Sequence, residues 1–199
     1  MKKILAFILV LACVFAMASC GDEITLRDFE KAAGKTKQSN VTTTIKFETA
    51  YGDLNANFET VYDAATETYT IVYMMEYFNV SDNSADVVKS VEEGVITCDK
   101  DGNYSNGAEL TGANAFAKGA KIDFSESKMN PRISGNTLKA NIDAKNTKSV
   151  LGVRIDADVE LTINMSKGQI SSYTMKYETE LGEVEILCSY ATPEVSDGE

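Results

Sequence analysis

The chain has 199 residues, 30 acidic against 19 basic side chains, a net charge of −11, and neither histidine nor tryptophan. A surface of that sign repels nucleic acid and anionic headgroups, so nucleic acid is not an expected partner. Without histidine, serine- and cysteine-type triads lack their usual base and metal sites their commonest ligand; no Cys-x-x-Cys pair or phosphate-cradling glycine motif occurs either, so no catalytic residue, metal ligand or cofactor is assigned.

Met1-Lys2-Lys3 forms a short cationic head, and Ile4 to Ala18 follows without a charge before Gly21-Asp22-Glu23 turns the chain polar. This is the layout of an export signal, and the apolar run falls short of the roughly 20 residues a spanning helix needs. Met17-Ala18-Ser19-Cys20 resembles the lipobox of bacterial lipoproteins, with Met17 where leucine is usual. The resemblance implies a signal over residues 1–19, removed by cleavage before Cys20, and a diacylglycerol on the Cys20 sulfur with further acylation of the new amine. It thereby implies an extracytoplasmic protein held on a bacterial cell membrane by lipid; two or three acyl chains suffice for stable attachment. Loss of residues 1–19 removes two lysines and no acid, leaving 17 basic and 30 acidic groups and a net charge of −13.

After a tether over residues 20–24, with a reach of about 14 Å, a helix signal begins. Thr25 is its N-cap and Asp28 stands in the capping-box position. Ile24 and Phe29 are spaced as a staple, Gly34 marks the end, and Leu26, Phe29, Ala32 and Ala33 make one apolar face. From Val41 the pattern changes to period two. A tight loop at Gly52-Asp53 would set Tyr51, Thr49, Phe47 and Ile45 opposite Leu54, Ala56, Phe58 and Thr60. The segment 67–78 has Tyr69, Ile71, Tyr73, Met75 and Tyr77 on one side and Val72, Met74 and Phe78 on the other, which predicts a central strand covered on both faces.

Residues 87–98 read as a strand broken at Glu92-Glu93-Gly94. Asp99-Lys100-Asp101-Gly102-Asn103 has calcium-loop flavour, but its glycine comes too early and Leu110 replaces the closing glutamate, so a turn accounts for it better. Residues 106–136, rich in Gly, Asn, Ala and Ser, suggest a mobile flap with a short helix at 113–118. Thr137 to Ile142 is another strand. Val153 to Met165 alternates almost without fault, and a three-residue loop Ser166-Lys167-Gly168 with a bulge would pair Leu161 with Tyr173, Val159 with Met175 and Asp158 with Lys176. The domain therefore spans 25–190, with an acidic tail over 191–199.

Cys98 and Cys188 each end an apolar alternation and point inward, leaving two alternatives: a disulfide, permitted in an exported protein, or two reduced core thiols. Tyr69, Tyr73, Met75, Tyr77, Met165, Tyr173, Met175 and Tyr177 share inward faces and form a candidate lining for a hydrophobic ligand, the alternative being a filled core. The expected fold class is mainly β: a strongly curved antiparallel sheet or half-barrel with a packed N-terminal helix. With the anchor, the early helix, and segments such as Gly94-Val95-Ile96-Thr97 and Gly168-Gln169-Ile170-Ser171, the chain resembles bacterial lipoproteins of the LolA/LppX type. That resemblance implies a bent sheet that wraps helices and can enclose lipid, and transfers no binding residue. A protein-interaction module without a small ligand is the alternative function, its partner unnamed.

Overall fold

The computed structural model describes residues 23–36, 40–80, 87–101, 103–105 and 110–191. Residues 1–22, on which the expected export signal and Cys20 fall, and the expected acidic tail after Ala191 lie outside the described residues. Nine strands form one antiparallel sheet: β1 (Val41–Thr49), β2 (Gly52–Asp63), β3 (Thr68–Val80), β4 (Val87–Cys98), β5 (Arg132–Ser134), β6 (Thr137–Ile142), β7 (Val159–Ser166), β8 (Gln169–Thr179) and β9 (Gly182–Tyr190). Their order is β4-β3-β2-β1-β9-β8-β7-β6-β5, and β4 does not return to β5. The sheet is an open half-barrel made of two meanders joined where β1 meets β9.

Period-two hydrophobicity decides which face is inside. Val41, Ile45, Phe58, Ile71, Leu161, Ile163, Tyr173, Met175 and Ile186 are all buried, while their sequence neighbours point outward to solvent. The outer face carries a row of alternating charge across adjacent strands: Glu160 opposite Lys176, Lys176 opposite Glu185, and Glu185 opposite Lys46. Opposite charges facing each other across strands add a small increment each and oppose register slips.

Helix α1 (Leu26–Thr36) lies on the inner side of β8 through Phe29 and Ala32, both buried. Its start is the expected one: the Asp28 carboxylate accepts from the Thr25 amide at 3.0 Å and from the Thr25 hydroxyl at 2.7 Å. The helix does not stop at Gly34. It runs on to Thr36, whose buried hydroxyl donates to the Ala32 carbonyl at 2.7 Å and accepts from the Ile170 amide at 3.1 Å, tying the last turn to β8.

Several sequence expectations are corrected, and each has a local cause. The β1–β2 turn is Ala50-Tyr51, not Gly52-Asp53, and pairs Phe47 with Leu54 and Ile45 with Ala56. The Thr49 hydroxyl selects it, donating to the Gly52 carbonyl at 2.8 Å and accepting from the Tyr51 amide at 3.1 Å. The shift is an even number of residues, so every side chain keeps its face. The β7–β8 loop is the two-residue Lys167-Gly168, both at positive φ (50° and 71°) as a type I′ turn requires. A bulge then moves the register, so that Ile163 faces Tyr173, Leu161 faces Met175 and Glu160 faces Lys176, two residues from the predicted pairing. The bulge restores apolar-on-apolar pairing that the turn alone would have lost.

Strand β7 begins at Val159 rather than Val153. Residues 153–158 are instead held by the buried Thr147 of α2 (Thr147–Leu151), whose hydroxyl meets both the amide and the carbonyl of Ile155 at 3.0 Å. Strand β4 is unbroken, because Tyr73 lies over Gly94: a Cβ there would sit 2.6 Å from the phenol oxygen. Nor is β3 covered on both faces. It is next to the edge strand, and Val72 on its outer side is 48% exposed.

The junction between the meanders is tight. Gly182 opens β9 at φ 146°, paired with Thr49, and a Cβ on it would come within 1.8 Å of the Glu48 carbonyl oxygen. Gly135 also has positive φ, but a Cβ there meets nothing within 4 Å. Gly182→Ala is therefore expected to cost about 3 kcal/mol by forcing β1 and β9 apart, and Gly135→Ala about 1 kcal/mol from backbone strain alone. Urea unfolding of the two variants measures the difference, and equal effects would contradict the assigned junction.

Candidate functional site

The chain between β4 and β5 crosses the concave side of the sheet, and this crossover builds the site. Its 3-10 helix, Gly112–Lys118, buries Phe116 and Ala117 against β1, β2, β3 and β9. Two inward threonines on neighbouring strands hold it: Thr43 donates to the Phe116 carbonyl at 3.0 Å and Thr60 to the Ala117 carbonyl at 2.7 Å. Both hydroxyls are buried and satisfied; the Phe116 carbonyl also accepts from the Gly119 amide at 2.7 Å, whereas loss of the Thr60 hydroxyl removes the side-chain partner of the Ala117 carbonyl. Gly119 follows at φ 81°, with the Tyr190 phenol where a Cβ would be, and the Ala120 amide donates to that phenol at 3.1 Å. The expected mobile flap is thus corrected over 110–131: the segment is anchored by buried hydrogen bonds and a buried phenyl ring.

Pinned in this way, the crossover divides the bowl. At the end that carries the Ala50-Tyr51 and Glu180-Leu181 turns lies a cavity of about 500 Å³. Its walls are Ile45, Phe47, Leu54, Ala56 and Val184, with Ala113 of the 3-10 helix closing one side. Asn55, Glu76, Asn114 and Glu180 stand at its polar margin. Hydrogen bonds from Lys89 and Asn55 hold the Glu76 carboxyl below the usual carboxylate range, so it stays ionised and paired with the Lys89 ammonium at 2.8 Å. A smaller space of about 350 Å³ adjoins it beyond Ala113, bounded by Ile155, Ala157 and Tyr177 and sharing Thr179 and Glu180.

The opposite end has a different character. A cavity of about 620 Å³ lies between α1, the crossover and β9, edged by Lys100, Lys118 and Lys121 and by Tyr69, Tyr173 and Tyr190. Lys118 is half-buried, 3.1 Å from the Cys98 sulfur and 5.0 and 5.8 Å from the rings of Tyr104 and Tyr69. The aromatic faces stabilise its ammonium away from bulk water. Tyr173 and Tyr190 meet edge to face at 5.6 Å.

The eight proposed lining residues are dispersed by the fold. Tyr69 and Tyr173 border the lysine-edged cavity and Tyr177 the smaller space, but none borders the apolar 500 Å³ cavity. Met175 is fully buried, Met165 is half-buried against the core, and Met75 accepts from the Asn114 amide at 3.5 Å. Tyr73 folds over Gly94 and donates to Glu92, and Tyr77 is 40% exposed toward the end of β3. The cavity belongs instead to apolar residues of β1, β2 and β9, ordinary enough in sequence that only their convergence marks them. Cys98 and Cys188 are free and buried. The strands that carry them, β4 and β9, are four places apart in the sheet. Asp99 makes the predicted turn, its carboxylate accepting from the amides of Asp101 and Asn103. Among the described residues no three His, Cys, Asp or Glu side chains converge to hold a metal.

Burial pushes the Cys188 thiol from its ordinary value of 9.0 to about 11, and raises the phenols of Tyr173 and Tyr190 in the same direction. The folded state therefore holds these protons after the unfolded chain has released its own. The stability contributed by Cys188 is complete below pH 9 and is lost as pH rises toward about 11, and that of the two phenols begins to be lost only above their ordinary value of 10.0. A urea midpoint that falls between pH 9 and 11, with a smaller fall in Tyr190→Phe, is the expected result; a flat profile would contradict the assigned burial.

No family model matches the chain, and no curated protein does. Among solved structures, a match described as the dehydratase domain from the terminal module of the rifamycin polyketide synthase is 14% identical, covering 83% of this chain and 80% of that one, with a TM-score of 0.19. At that score the two chain paths differ too widely for the match to bear on fold or chemistry.

Proposed function

We propose that this protein is a lipoprotein of the bacterial envelope, tethered through Cys20 on the extracytoplasmic face, whose half-barrel shelters a lipophilic molecule. The tether rests on the cationic head, the uncharged run and the Met17-Ala18-Ser19-Cys20 motif. The shelter rests on one observation: an open sheet with a cavity of about 500 Å³ whose walls are apolar. That volume is in the range of sites for small ligands, which are apolar with a few polar groups at the margin. With Glu180 at the mouth beside a Glu76 already paired with Lys89, the favoured occupant has an apolar body and a neutral or cationic head. This reading agrees with the LolA/LppX resemblance in architecture while relying on residues of this chain alone. The interaction-module alternative has less support, since the crossover it would use has Phe116 and Ala117 buried.

Cys20→Ser is expected to move the protein from the membrane to the soluble fraction of fractionated cells; unchanged membrane recovery would remove the tether from the proposal. Native mass spectrometry of the full chain released from mild detergent should show an added mass that organic extraction removes. Ala56→Phe, which places a ring in the cavity, is expected to weaken uptake of a neutral fluorescent lipophile by about tenfold or more. A chain without added mass that also fails to take up the lipophile would refute the shelter.

A further inference from the structure

Strand β4 is the long edge of the sheet. At its C-terminal end the edge is covered: the Thr97 amide donates to the Ser105 hydroxyl at 2.9 Å and the Asp99 amide to the Asn103 carbonyl at 3.0 Å. These contacts fix the direction of the edge. In an antiparallel strand the outward-pointing amides belong to alternate residues, so those of Val87, Lys89, Val91, Glu93 and Val95 point away from β3 as the Thr97 amide does. The same five side chains occupy the outer face, because their alternates Gly94, Ile96 and Cys98 pair with the inward Tyr73, Ile71 and Tyr69. Val91 and Val95 are 54% and 59% exposed, and Val95 adjoins Val72 at 48%, so an apolar strip reaches the very edge.

The order along that edge is Val87, Lys89, Val91, Glu93, Val95, which reads as its own charge complement when reversed. We infer that β4 pairs antiparallel with β4 of a second copy of this chain about a two-fold axis through Val91, extending the sheet across the dimer. In this register Lys89 faces the partner's Glu93 and Glu93 the partner's Lys89, Val87 faces the partner's Val95, and the two Val91 side chains face each other. On the inner face Ser90 lies opposite the partner's Glu92 and Val88 opposite the partner's Gly94, so no like charges are directly opposed. Five residue pairs each exchange two main-chain hydrogen bonds, as in any antiparallel ladder. Slipping by two residues sets each charge against an uncharged neighbour, and slipping by four brings Lys89 onto Lys89 or Glu93 onto Glu93. The charges therefore specify one register and one partner, the isologous arrangement typical of two-fold dimers. A long flat edge with exposed valines otherwise invites indiscriminate pairing.

Sedimentation equilibrium of the full chain in a mild non-ionic detergent is expected to show a reversible monomer–dimer equilibrium. Lys89→Glu alone and Glu93→Lys alone should each weaken it by about tenfold or more, since two attractive pairs become repulsive. Mixing these two variants should restore association, because each charge then meets its opposite in the heterodimer; the double variant should self-associate like the parent. Lys89 also bonds Glu76 within its own chain at 2.8 Å, but recovery on mixing cannot arise from a folding defect. A chain that stays monomeric to about 100 µM, a dimer indifferent to both swaps, or single variants that remain apart when mixed would each overturn the inference.

Discussion

The pairing of β1 with β9 is the joint on which the structure depends. Each half of the sheet is a meander of sequence neighbours, joined by local connections, the longest being the helix-containing stretch 143–158 between β6 and β7. The β1–β9 ladder joins residues near opposite ends of the domain, with Val41 opposite Tyr190 and Thr49 opposite Gly182. Long-range pairing of this kind needs closure of nearly the whole chain before it is rewarded, and is expected to form late and slowly. Once made, it converts two marginal ribbons into one sheet with a common inner face. Gly182 is where that joint is narrowest, since the Glu48 carbonyl occupies the space any side chain would need.

The inner face then requires a filling, and a single sheet cannot supply it. Helix α1 covers β8, and the crossover covers the joint itself, lying over β1, β2 and β9. What holds the crossover is not apolar contact alone. Thr43, Thr60 and Tyr190 project polar atoms from the concave face onto its backbone, which satisfies irregular chain that would otherwise be buried without partners. The same arrangement leaves space on either side. The two ends of the bowl differ because one is walled by apolar residues and rimmed by carboxylates, the other by phenols and lysines. An acidic protein that gathers Lys100, Lys118 and Lys121 around one opening has a strongly asymmetric field across its concave side.

The outer face follows another logic. It carries threonine, serine, asparagine and crossed rows of opposite charge over most of its extent, as suits a sheet with one wet side. Only near β3 and β4 does it turn to valine, and there the edge is long. The opposite edge, β5, has three residues and offers little to pair with. Nature blunts edges by shortening or charging them, and these two edges contrast in length, twelve residues against three.

Period-two patterning was enough to identify the β class and the inward residues of most long strands, while capping residues marked the start of α1 and local composition the short helix near Phe116. Local chemistry of that kind acts between neighbours and survives in a one-dimensional record. Loop length was not legible, because Thr49, through hydrogen bonds to a backbone it shapes itself, outcompeted the glycine that seemed to mark the turn. The corrected registers shifted by even steps, so faces were right where partners were wrong. The apolar cavity was invisible for a related reason: Ile45, Leu54, Ala56 and Val184 are spread over three strands and read as core anywhere. Tyrosines and methionines drew attention by their chemistry, yet most of them serve packing. Face and element type are properties of the chain's own periodicity; which strands adjoin, which thiols stay apart and where a void remains were decided only when β1 and β9 closed the sheet.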